Sequence, residues 1–204
     1  MTMSDTRARA RVAAPTARQL DLLSRLQNLV LDEGFAHLLL DDVAARLRCS
    51  KTTLYALARS KEQLVTLVVT RFFKSATEHV EAALAAADAG PARLVAYLDA
   101  IARVLQPASR QFITDVGAFA PTRVIYQDNA RAAARRVHQV VQEGMDAGAF
   151  AREVDPTFVA SLVGLTIEAV QRGEVAERSG LADADAFASL SSLVLRALAP
   201  PPLS

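Results

Sequence analysis

The stretch Leu40-Asp41-Asp42-Val43-Ala44-Ala45-Arg46-Leu47-Arg48-Cys49-Ser50-Lys51-Thr52-Thr53-Leu54-Tyr55 predicts two short helices with almost nothing between them. Asp41 and Asp42 fall in the first turn of a helix over about 40–47, where negative charge suits the helix dipole. Val43, Ala44 and Leu47 form its inner face. Only Arg48 and Cys49 then precede Ser50, a good N-cap for a helix running from Lys51 to about Leu57. Helices joined by so tight a turn must cross steeply, which is helix-turn-helix geometry. The second helix has a single apolar anchor, Leu54, and otherwise offers Ser50, Lys51, Thr52, Thr53 and Tyr55. Hydroxyls can meet phosphates or base edges, a lysine can reach guanine or phosphate, and threonine methyls can meet thymine.

Working outward, Thr16-x-x-Gln19 is a capping-box pattern opening a helix over 17–33, with Leu22, Leu26, Leu29 and Val30 at helical spacing. Gly34 supplies the stop, and Phe35 should fold back on the apolar face. On the other side, Ser60-x-x-Gln63 opens a long amphipathic helix through Leu64, Leu67, Val68 and Phe72 towards Ala87. Lys61 places a cation beside that helix's N-terminus, where backbone N–H groups already favour an anion; the plain alternative is a solvated lysine. Gly90-Pro91 breaks the helix. Further helices are expected at roughly 92–105, 108–118, 123–146, 156–173 and 184–198, separated by Pro107, Pro121, Gly148, Asp155-Pro156 and the stretch 173–183. Ala and Leu dominate and β-branched runs are short, so the expected fold class is all-α.

The 204 residues are 51% hydrophobic and 22% charged with a formal charge of +1, enough apolar surface for a real core and no profile of a disordered chain. No apolar run approaches the roughly 18 residues needed to cross a bilayer. Residues 1–17 lack a signal-peptide pattern, so a cytoplasmic protein with no membrane association is expected. Cys49 is alone, and His37, His79 and His138 are scattered without metal-ligand or nucleophile–base spacing, so neither an enzyme nor a cofactor is expected. Residues 1–62 carry ten Lys/Arg against seven Asp/Glu, a balance of +3, whereas the remainder is at −2. Arg7, Arg9, Arg11 and Arg18 make a basic arm ahead of the first helix, suited to phosphate contact or simply a solvated leader.

Taken together, Gly34-Phe35, Asp42-Val43-Ala44 with its tight turn, Ser50-Lys51-Thr52-Thr53-Leu54-Tyr55 and Ser60-Lys61-Glu62-Gln63-Leu64 resemble the DNA-binding domain of TetR-family transcriptional regulators over about residues 16–72. The resemblance implies a homodimer of two-domain, all-helical chains. The expected division is a flexible basic arm (1–15), a three-helix head (16–62), and a helical domain (63–204) that binds a small-molecule effector and dimerises. It implies that Lys51, Thr52 and Thr53 face the major groove of double-stranded DNA and that Tyr55 and Lys61 hold phosphates. Leu54, Val43, Ala44 and Leu64 would then form the head's core. A half-buried core aromatic is the plain alternative for Tyr55. The chain departs from the family pattern at Leu39, at Arg48 where a glycine is common, and at Leu57, Ala58 and Arg59. At Arg48 the turn then requires a left-handed arginine, at some cost. These departures motivate a second reading, a helical binding or adaptor module with degenerate DNA recognition.

In the C-terminal half the resemblance gives no residue positions. An effector pocket should be largely apolar with a few convergent polar groups, and the candidates are Tyr97, Phe112, Phe119, Tyr126, His138, Phe158 and Glu168. Phe112 and Phe158 also suit plain core, and His138 a hydrogen-bonded, partly buried histidine. Glu168 interrupts an otherwise apolar run, 158–170, so it must pair, hydrogen-bond or take up a proton. Arg172 one turn on is its simple partner; a group across a dimer interface or a cationic or polar ligand is the alternative. Phe187, Leu190, Val194 and Ala197 share one face of the last helix and are the expected dimer seam.

Overall fold

The computed structural model describes residues 16–200, which form ten α-helices and, among those residues, no strand. The expected arm with Arg7, Arg9 and Arg11 lies outside the described residues, whereas Arg18 sits in the first turn of α1 (Ala17–Glu33). The Thr16 capping box forms as the sequence requires: Gln19 N–H donates to Thr16 Oγ1 at 3.3 Å, and Thr16 N–H donates back to Gln19 Oε1 at 2.8 Å.

Helix α2 (Leu40–Arg46) and helix α3 (Lys51–Tyr55) follow, and the turn between them is left-handed at Arg48, with φ 51°. That conformation lets Cys49 N–H reach Ala44 O at 2.9 Å, closing the end of α2. Arg25 of α1 donates to Leu47 O at 2.6 Å and satisfies another carbonyl there. The long α4 (Lys61–Ala86) carries the chain out of the head. Leu26, Val43, Leu47, Leu54 and Leu64 form a core that continues without interruption into Val68 and Phe72 of α4. It is completed by Phe112 and Val116 of α6 (Arg110–Ala118), so three helices alone do not close it.

The body consists of α4, α5 (Pro91–Leu105), α6, α7 (Ala120–Asp146), α8 (Pro156–Gln171), α9 (Glu174–Ser179) and α10 (Asp183–Leu198). Helix α4 packs on α5 and α7, α7 on α8, and α10 on α5 and α8, around a second core that includes Leu84, Leu94, Val141, Val163 and Leu198. Two boundaries differ from the sequence-based expectation. Pro121 does not precede α7 but lies in its first turn, where its missing N–H is no loss. The stretch 173–183, expected as a break, contains the short α9.

The expected dimer seam is corrected. Phe187, Leu190 and Val194 are at most 6% exposed within a single chain, because their face of α10 packs on α5 and α8; Ala197 alone of the four is exposed. The apolar side chains left uncovered lie on the other faces of the same pair of helices. Phe158 (66% exposed), Leu162 and Leu165 (66%) follow one stripe of α8, and Leu193 (63%) stands on α10. The helical period holds along α10, but periodicity alone does not say which of two apolar faces the monomer covers.

Candidate nucleic-acid interface and ligand cavity

Helix α3 is held by its ends and by one side chain. Ser50 Oγ accepts from Thr53 N–H at 3.1 Å, and the Ser50 and Thr53 hydroxyls are 2.8 Å apart. Leu54, 1% exposed, pins the helix to the core, while Lys51, Thr52 and Tyr55 (47% exposed) project outward. Ser50 therefore serves as a cap while still lying on the exposed rim. Lys51 is not a free cation, since its Nζ lies 2.5 Å from Asp41 Oδ1 on α2. The hydrogen bond it donates to that carboxylate holds its ammonium above the ordinary lysine range. Lys61 donates to Ala36 O at 2.9 Å, tying the start of α4 to the loop after α1. Arg46 is engaged bidentately by Glu33. Arg48 and Arg59, which the sequence marks only as departures, are exposed beside α3 and, among the described residues, have no ion-pair partner.

The head is fastened to the body through Asp115 of α6. This carboxylate is 4% exposed. It accepts from Phe35 N–H at 2.6 Å, Ala36 N–H at 2.8 Å and Gln111 Nε2 at 2.7 Å. Gly34 allows this approach: at φ 77° and ψ −166° it occupies a region essentially reserved for glycine. A Cβ there would lie 2.6 Å from Asp115 Oδ2. Ser109 N–H adds a bond to Leu31 O at 2.8 Å. Phe35 packs edge-on to Phe112 and Phe119, with ring centroids 6.5 and 6.3 Å apart.

Behind this joint, between α4, α5, α6, α7 and α8, lies a cavity of about 310 Å³. Of the seven expected ligand residues, Tyr97, Tyr126 and Glu168 line it. The other four do not. Phe112 is in the head–body core, Phe119 packs against Phe35, His138 is half-buried on α7 away from the lining, and Phe158 stands on the exposed stripe of α8. Lining residues the sequence did not single out include Phe73, Glu81, Ile113, Asn129, Arg136 and Gln171. One signal was available: Ala130 and Ala132-Ala133-Ala134 face the cavity from the middle of a long packed helix, where small side chains leave volume unfilled.

The polar groups of the cavity divide into satisfied and unsatisfied sets. Tyr97 OH donates to Ala133 O at 3.2 Å, and burial pushes its hydroxyl well above the ordinary tyrosine range. Arg136 grips Glu81 with two bonds of 2.9 and 3.1 Å. Tyr126 is pushed up to about 12 by burial and then by the neighbouring Glu168 carboxylate. Arg172 is 4.0 Å from Glu168 but only 2.8 Å from Glu174, so the simple local partner is mostly engaged elsewhere. Gln171 Oε1 is buried with no hydrogen-bond partner.

No family model matches the chain, and no curated protein matches it. Solved structures do. A protein from Saccharomonospora viridis, described as a transcriptional regulator in complex with choline, superposes with a TM-score of 0.76 at 17% identity, over 89% of this chain and 97% of that one. The TetR-family regulator PfmR from Thermus thermophilus gives 0.68 at 21% identity, over 86% and 97%. A TetR-family regulator from Agrobacterium tumefaciens gives 0.73 at 15% identity, over 91% and 100%. This chain has the TetR-regulator fold. The likeness covers 86–91% of this chain and so takes in head and body together.

Proposed function

We propose that the chain is a sequence-specific DNA-binding transcriptional regulator, a repressor released from a palindromic operator by a small, largely apolar effector. The observation that carries this reading is α3, on which Lys51, Thr52 and Tyr55 project around the buried Leu54 with Arg48 and Arg59 exposed beside them. Lys51, Thr52 and Thr53 would face the major groove, and Tyr55 and Lys61 the phosphates. On meeting DNA, Lys51 would exchange Asp41 for a phosphate or a guanine edge, so part of its favourable contact offsets a lost ion pair.

Two heads are required for a palindrome, and the uncovered stripe of Phe158, Leu162, Leu165 and Leu193 is the surface for the homodimer. A two-fold contact there would set two copies of α3 against half-sites about 34–36 Å apart. Effector control follows the same contacts. Ile113 touches the cavity, and Asp115, two residues along α6, grips the loop that leads into the head. A ligand favouring one placement of α6 would bias the spacing of the heads by its differential affinity for the two arrangements. The chain acts by binding, in the cytoplasm; no described helix is long and apolar enough to cross a membrane.

The deciding experiment is selection of bound sequences from a random DNA pool, with the winners rebound at two salt concentrations. A palindrome should emerge, with affinity falling steeply as salt rises, and the Lys51→Ala/Tyr55→Ala variant should lose it. Failure to enrich any sequence, or a variant that binds as well as the parent, would remove the regulator reading.

A further inference from the structure

The polar groups in the cavity are unequal, and the inequality points to a chemical class of ligand. Among the described residues, buried side-chain oxygens without a partner occur at Gln27 and Gln171, and of these Gln171 lines the cavity. It lies one helical turn from Glu168 on α8. Glu168 has the Tyr126 ring beside it and an arginine 4.0 Å away whose nearer partner is Glu174. Two neighbouring acceptors, one anionic, are thus short of donors in a largely apolar space, an arrangement that is unfavourable until something supplies N–H groups.

The cations nearby do not serve that purpose. Arg136 is committed to Glu81, and Arg135 is exposed to solvent. An anionic ligand would therefore meet Glu168 without a free buried cation to offset it. Phe73 and Tyr126, with centroids 6.0 Å apart, and Tyr97 add aromatic rings around the same space, and such rings attract cations.

We propose that the cavity takes an apolar amine in its protonated form, its ammonium N–H groups donating to Glu168 and Gln171 and its hydrocarbon lying against Phe73, Tyr97 and Ile113. This deepens the reading of the body as an effector-binding domain and rests on it. The remaining volume along the alanines of α7 suits a hydrocarbon tail without polar groups.

A matched series of one shape tests it: 4-phenylbutylamine, 4-phenylbutan-1-ol and 4-phenylbutyrate, titrated calorimetrically into the full-length protein and into its Glu168→Gln and Gln171→Leu variants. The amine should bind roughly tenfold tighter than the alcohol, and the carboxylate weakest. Glu168→Gln should lower amine affinity about tenfold and leave the alcohol within about twofold. Gln171→Leu should weaken the amine less and spare the alcohol. Binding of the carboxylate as tight as the amine, an unchanged amine preference in Glu168→Gln, or no binding by any of the three overturns the proposal. Calorimetry needs no DNA, so this outcome stands apart from the DNA selection: amine binding without an operator would sink the regulator reading, and an operator without amine binding would sink this one. The quaternary analogue 4-phenylbutyl-trimethylammonium separates charge from donation. It should bind more weakly than the primary amine, and equal or tighter binding would overturn the assigned N–H contacts.

Discussion

Two carboxylates on the helices of the body are in opposite conditions. Asp115, at the joint with the head, is 4% exposed and accepts from two backbone N–H groups and an amide, all within 2.8 Å. Glu168, at the cavity, is half-buried with a distant arginine and a tyrosine hydroxyl. A buried acceptor surrounded by donors fixes structure, because removing it strands every donor at once. An acceptor short of donors next to empty space contributes little to the folded chain and remains available to a ligand. Affinity for an effector and rigidity of the joint are therefore separable, although Ile113, two residues from Asp115 on α6, lines the cavity.

The contrast is broken most directly at Asp115. Asp115→Ala leaves Phe35 N–H and Ala36 N–H buried without their acceptor and should cost about 3 kcal/mol, read as a lower urea midpoint at unchanged slope. Asp115→Asn keeps an acceptor oxygen and should recover part of that. A loss below about 1 kcal/mol in the alanine variant would mean that the joint is held by the Phe35–Phe112 packing instead. Gly34→Ala comes next. It forces a non-glycine residue to φ 77° and brings a Cβ to 2.6 Å from Asp115 Oδ2, so about 2 kcal/mol should be lost. Since part of this cost is the collision with Asp115, the Gly34→Ala/Asp115→Ala double variant should lose less than the sum of the two, whereas strict additivity would assign the cost to the backbone strain and to the Gln111 side chain, whose Cγ would lie 2.7 Å from the new Cβ.

The head was legible in the sequence because its signals are local. The Thr16 capping box, the Gly34 stop and the Ser50 cap each act within a few residues and form as expected, while at Ser60 the side chain caps Gln63 N–H but Gln63 Oε1 accepts from Arg59 N–H, so the box there is only half closed. Asp115 was not singled out, since its partners Phe35 and Ala36 lie 80 and 79 residues away and no local pattern announces such a pairing. The cavity was half-legible for a related reason. Glu168 betrayed itself as a charge in an apolar run, but Phe112 and Phe158 are equally conspicuous, and only packing between distant helices sorts one to the core and the other to the surface. The same limit governed α10, where two apolar faces carry one period.

A smaller effect sharpens the comparison from the cavity side. Glu168→Gln removes a charge that has little holding it, so the stability of the unliganded protein should change by no more than about 0.5 kcal/mol, roughly a sixth of the effect at Asp115. Thermal unfolding without ligand measures it. A loss of several kcal/mol would make Glu168 a second structural carboxylate and would remove the physical distinction between the two sites.

A change of similarly small size, but stabilising, is expected at Arg48, where the head itself departs from the well-satisfied joint. Its left-handed φ of 51° carries the penalty of an L side chain, about 1 kcal/mol, in a turn where glycine would carry none. Part of that gain is offset by the greater unfolded freedom of glycine, so Arg48→Gly should raise stability by about 0.5 kcal/mol. The side chain is exposed beside α3 and has no ion-pair partner among the described residues, so nothing in the free protein explains why the strain is kept. Contact with the DNA backbone would explain it, because strain at a binding element is tolerated when the strained residue does the binding. Arg48→Gly should then bind the selected operator more weakly and reduce the salt dependence by about one phosphate contact. A glycine variant that is more stable and binds with the same salt slope would assign the strain to the turn alone, and the DNA-facing surface would shrink to α3 and its flanking Arg59.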